Sequence, residues 1–118
     1  MQTLLFILNH APYGNESSYN GLRLATNLKE QHGDEVTIRL FLMSDAVTLA
    51  LSNQHPAEGY NAGEMLDLAI AQGADVKLCK TCCDARGISE LPLIDGAEIG
   101  TLIELSAWTL EANKVITF

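Results

Sequence analysis

The sequence predicts an α/β fold built on a parallel sheet, and three observations predict it. Short continuous apolar runs such as Leu4-Leu5-Phe6-Ile7-Leu8 recur along the chain, as in strands covered on both faces. Segments with apolar residues at helical spacing alternate with those runs, and the connections are short. Crossovers between parallel strands are right-handed, which places helix layers on both sides of such a sheet.

Taken in order, Thr3–Leu8 reads as the first strand and Asn9–Gly14 as the loop after it. Asn15 or Ser17 is placed to cap a helix carrying Tyr19, Leu22, Ala25 and Leu28, with Gly33 as its stop. The second strand runs from Val36 to Met43, halts at Ser44-Asp45, and leads into a brief helix at Ala46–Leu51 and an irregular loop at Ser52–Tyr60. Asn61 with Glu64 resembles a capping box for a helix whose stripe is Met65, Leu66 and Ala69. Val76 and Leu78 mark a third strand ending at Cys79; Lys80–Gly87 has no clear period beyond room for one helical turn. Asp95 and Glu98 form another box-like pair ahead of Ile99, Leu102, Ile103 and Leu110, read as an apolar helix face. Lys114–Phe118 reads as the last strand, with a weakly marked strand within Leu91–Ile94.

A length of 118 residues suits one domain, and 47% apolar against 19% charged residues is the balance of a folded chain, not a disordered one. The net charge of −8, with its basic residues scattered, argues against a nucleic-acid partner. No stretch approaches a membrane span, and the first apolar run is too short and lacks the basic flank of an export signal. The 3 cysteines all fall between Cys79 and Cys83, unlike a dispersed disulfide framework, so reduced thiols in the cytoplasm are expected.

Ligands of open α/β sheets gather beyond the carboxyl ends of the strands. Three segments there carry polar residues: Asn9-His10, Ser44-Asp45, and Cys79-Lys80-Thr81-Cys82-Cys83. With their strands side by side they form one rim. Loop N–H groups after Cys79 favour its thiolate, Lys80 adds positive charge, and Asp45, if close, opposes it. Against this stands the frequent use of a free cysteine as a small core residue. Cys79 and Cys82 also have the C-x-x-C spacing of reversible disulfides, with Cys82 as a resolving or auxiliary thiol. A zinc site is not expected, because no second ligand pair accompanies the cysteines and His10, His32 and His55 lack ligand spacing. The loop Ala11–Ser18 matches neither phosphate-binding glycine pattern, so helix capping is preferred there and no cofactor is expected. Trp108, Tyr13 and Tyr60 are interface or pocket candidates.

Several segments in a fixed order carry a family resemblance: Ala11-Pro12-Tyr13-Gly14, Leu40-Phe41-Leu42-Met43-Ser44-Asp45-Ala46-Val47, Glu58-Gly59-Tyr60-Asn61, Lys77-Leu78-Cys79-Lys80-Thr81-Cys82 and Arg86-Gly87-Ile88-Ser89. Leu91-Pro92-Leu93-Ile94-Asp95-Gly96 and Glu98-Ile99-Gly100-Thr101 extend it. Over almost its whole length the chain resembles the DsrE/DsrF-like family, in particular the YchN-like branch. The resemblance implies a three-layer α/β/α domain with a five-stranded parallel sheet in the order 4-3-2-1-5. It also implies a homo-oligomer, a hexamer in that branch, and a cysteine at the position of Cys79 that carries sulfur for a relay partner. Cys82 fits the branch pattern, whereas Cys83 stands where a non-cysteine residue is expected.

The function expected is a sulfur carrier, or sulfurtransferase-like protein, holding a persulfide on Cys79, with Asn9, His10, Ser44, Asp45, Tyr60, Lys80 and Thr81 around it. A non-enzymatic oligomer binding a small anion, or a C-x-x-C thiol–disulfide oxidoreductase, are the competing readings.

Overall fold

A computed structural model describes Met1–Phe118 as five strands and four α-helices. In chain order these are β1 Gln2–Leu8, α1 Ser17–His32, β2 Val36–Leu42, α2 Ala62–Ala71, β3 Asp75–Cys79, α3 Lys80–Ala85, β4 Ala97–Gly100, α4 Leu102–Glu111 and β5 Lys114–Thr117. Two 3-10 segments, Gly33–Glu35 and Ser44–Ala50, bracket β2. All strand pairs are parallel and the sheet order is β4-β3-β2-β1-β5, which puts β1, β2 and β3 side by side as expected.

The register sorts the side chains between the two faces. Leu4, Phe6 and Leu8 align with Ile38, Leu40 and Leu42, and these with Val76 and Leu78, to make one wholly apolar face. On that face Ala25 of α1 and Ala69 of α2 meet beside Ile38. The opposite face alternates Leu5, Arg39, Phe41 and Lys77, and α4 lays Leu105 and Trp108 across it. Trp108 meets Phe41 edge-on with ring centroids 6.1 Å apart, and Arg39 and Lys77 hold their cations over the indole. Trp108 is therefore core, not the interface residue expected.

The last third of the chain departs from expectation in two places. The fourth strand is Ala97–Gly100 rather than Leu91–Ile94, whose Leu93 makes only an isolated antiparallel bridge to Leu51. The helix starts later than the Asp95/Glu98 pair suggested. Thr101 caps it, its side chain accepting the Glu104 N–H while Glu104 reaches back to the Thr101 N–H. Asp95 instead enters a turn completed by Gly96 at φ 96°, from which the chain runs into the strand. The helix face is also rotated from that expected: Leu105 and Trp108 are buried, while Leu102, Ile103 and Leu110 are exposed. At the other end of the chain, α1 begins after Glu16 with no side-chain cap; Asn15 accepts the Ser17 N–H within the preceding loop. The Asn61 cap of α2 does form, accepting the Glu64 N–H at 3.1 Å.

A rim of thiols at the end of the third strand

The site begins where β3 stops. Cys79 is both its last residue and the N-cap of α3, so its sulfur faces the first free N–H groups of that helix. The Cys82 N–H donates to Cys79 Sγ at 3.4 Å, and Thr81 Oγ1 lies 3.3 Å from the same sulfur. Burial pushes the Cys79 thiol up; hydrogen bonds from the Cys82 and Thr81 side chains and from their N–H groups outweigh it and hold the thiol below its ordinary value.

Cys79 is itself buried, 9% exposed at the edge of the core, and the other two cysteines differ from it in depth and partners. Cys83 is 1% exposed, packs in the core, and is pushed up by that burial. Cys82 sits at intermediate exposure and accepts the Ser44 N–H on its Sγ at 3.2 Å. Burial and the hydrogen bond with Cys79 push the Cys82 thiol up, against the pull of the Ser44 N–H and the Arg86 charge. Ser44 holds the left-handed conformation at φ 53°, uncommon outside glycine, and the segment after β2 thereby delivers a main-chain donor to a cysteine of α3.

Ser44, Cys79, Thr81 and Cys82 thus converge, but the remaining expected residues do not. Asp45 turns to Arg86, accepting from Nε at 2.9 Å, and is not among the groups acting on Cys79. Lys80 Nζ is taken by Asp84 at 2.8 Å, so the charge expected to help Cys79 is spent within α3. Asn9 binds the Phe118 carbonyl through both its main chain and its side chain, which directs it to the C-terminal strand. His10 is exposed and offers only its carbonyl, to Ser18. Tyr60 donates to the Pro12 carbonyl and stacks on Tyr13 and Tyr19, an aromatic brace for the first loop.

Arg86 is the residue that sequence reasoning missed. Its Nη1 also donates to the Cys82 carbonyl at 3.2 Å, so one guanidinium ties the end of α3 to the segment after β2. The only hint in the sequence is its presence in the Arg86-Gly87-Ile88-Ser89 segment. No group of three or more His, Cys, Asp or Glu side chains is arranged to hold a metal ion. No helix is long and apolar enough to cross a membrane.

Comparison with known proteins agrees with this geometry at the level of fold and family. Protein YchN of Escherichia coli is 60% identical over 118 residues, covering 100% of both chains. The crystal structure of the E. coli ychN protein superposes with a TM-score of 0.96, again over 100% of each chain. The uncharacterized protein MJ0989 of Methanocaldococcus jannaschii is 45% identical over 113 residues, spanning 95% of this chain and 96% of that one. A sequence model of the DsrE/DsrF-like family matches residues 2–118, and the chain belongs to that family.

Proposed function

We propose that the protein is a sulfur carrier that holds sulfane sulfur as a persulfide on Cys79 and passes it to a partner protein. The observation that carries this reading is the convergence of donors from Cys82 and Thr81 on one sulfur at the end of β3. A thiol so surrounded is a thiolate at lower pH than its neighbours, and the thiolate is the nucleophile. In loading, Cys79 S⁻ attacks the outer sulfur of a donor R–S–SH. The donor's S–S bond breaks, R–S⁻ departs, and Cys79–S–SH forms. Three reduced thiols on one chain suit a reducing compartment, and the cytoplasm is the compartment proposed.

Incubation of the reduced protein with a persulfide donor is expected to add one sulfur atom to the intact mass, mapped to Cys79. Equal loading of Cys79→Ser, or a wild type that neither gains sulfur nor releases sulfide, overturns the assignment.

The carrier is proposed to act as a homo-oligomer, a hexamer by family resemblance. Supporting this, Ile103 at 82% exposure and Leu110 at 88% lie two turns apart on one stripe of α4, a placement that calls for cover by a second copy. The double variant Ile103→Glu/Leu110→Glu is expected to elute as a monomer by light scattering with an unchanged circular dichroism spectrum. A monomeric wild type overturns the proposed assembly.

A further inference from the structure

Cys82 lies one helical turn beyond Cys79, and the two are directly linked by the 3.4 Å hydrogen bond from the Cys82 N–H to Cys79 Sγ. Residues three apart on a helix share a side, so both sulfurs face the same end of β3. Cys82 is also held from the opposite direction. Ser44 N–H points at its Sγ, and Arg86 pins its carbonyl while gripping Asp45, the residue next to Ser44. Cys83, the adjacent alternative, is turned into the core.

We propose that Cys82 is a discharging thiol, which converts the Cys79 persulfide into hydrosulfide and a Cys79–Cys82 disulfide. The step rests on the persulfide reading given above. Starting from the ionised persulfide, the Cys82 thiol gives its proton to the outer sulfur and its sulfur attacks the inner one. The S–S bond of the persulfide breaks as the bond between Cys79 and Cys82 forms, and HS⁻ leaves. The sulfane sulfur takes up two electrons, and the two cysteines lose them as they become a disulfide. A dithiol reductant returns both cysteines to thiols and is itself oxidised to a disulfide.

The surroundings of Cys82 fit both halves of this step. Burial and Cys79 keep its proton on at rest, which supplies the proton that the outer sulfur needs before it can leave. Ser44 N–H and the Arg86 charge favour the Cys82 thiolate, and so assist as the proton departs. The chain would then release sulfur in two forms: sulfane sulfur to a thiol acceptor that reaches Cys79 first, and sulfide when none does.

The test loads wild type, Cys82→Ser and Cys83→Ala with a persulfide donor, removes excess donor, and follows intact mass, released sulfide and disulfide peptides without added thiol. Wild type and Cys83→Ala are expected to release about one sulfide per loaded chain and to yield the Cys79–Cys82 disulfide peptide. Cys82→Ser, which keeps its main-chain N–H, is expected to hold the added sulfur with a half-life roughly tenfold longer or more, and to give no disulfide. Equal lifetimes in wild type and Cys82→Ser, with no disulfide, overturn the discharging role and leave the carrier intact. If none of the three gains sulfur at Cys79 or releases sulfide, the carrier reading falls and this inference with it.

Discussion

Treated with iodoacetamide in its native state, the protein is expected to lose Cys79 first. The rate at Cys79 should rise with pH and level off below the range of an ordinary thiol. The direction follows from the lowered thiol: the thiolate is the reactive form, and a lowered titration places it at lower pH. Cys82, whose thiol is raised, is expected to gain reactivity only at higher pH. Cys83 is core and must wait for the chain to open, an event that makes its labelling at least roughly a hundredfold slower than that of Cys79. Thr81→Val keeps the side-chain shape and removes the hydroxyl donor, so it should move the Cys79 profile upward and slow labelling at neutral pH several-fold. Mass spectrometry of peptides across a pH series measures all of this; coincident profiles for Cys79 and Cys82 would refute the asymmetry between them.

A second large effect is expected far from the thiols. Phe41→Ala should destabilise the fold by about 4 kcal/mol, the cost typical of emptying a buried aromatic position. Phe41 is 1% exposed and meets the Trp108 ring edge-on, so its loss removes one support of α4 on the sheet. Neighbouring Arg39 and Lys77 cannot fill the gap without burying charge. Urea unfolding monitored by Trp108 fluorescence gives the difference directly; a loss below about 1 kcal/mol would show that α4 is held by other contacts.

The parts of the fold legible in the sequence are those where composition leaves one solution. Leu4 to Leu8 and Leu40 to Leu42 are apolar at successive positions, as strands covered on both faces are, and they are too short for a buried helix. The end of β3 was legible for the same reason, since Leu78 and Cys79 are the last core residues before polar Lys80 and Thr81. Beyond it, two pairs with capping-box spacing compete, Asp95/Glu98 and Thr101/Glu104, and spacing does not choose between them. Gly96 chooses, because its positive φ places a turn where the first pair would have started a helix. The orientation of α4 was illegible for a different reason: Ile103 and Leu110 are as apolar as Leu105, and periodicity reports that a face is hydrophobic without saying what covers it.

Around the thiols, the sequence exposed the sulfur atoms but not the wiring between them. Asp45 was expected to act on Cys79 because both follow adjacent strands. It meets Arg86 instead, a long side chain from the far end of α3 whose reach no strand-end pattern reveals. The donors on the two sulfurs include the N–H groups of Cys82 and Ser44, which every residue but proline supplies, so their side-chain identities gave no signal of their role.

That last feature decides how the rim responds to mutation and to drift. Groups belonging to the peptide backbone survive an alanine scan: Ser44→Ala deletes a hydroxyl but leaves the N–H aimed at Cys82, provided the residue keeps its left-handed turn. Side-chain scanning will therefore under-report the electrostatic design of this rim. Removing a donor cleanly takes amide-to-ester replacement at Ser44 or Cys82, one atom exchanged in the main chain with both side chains in place.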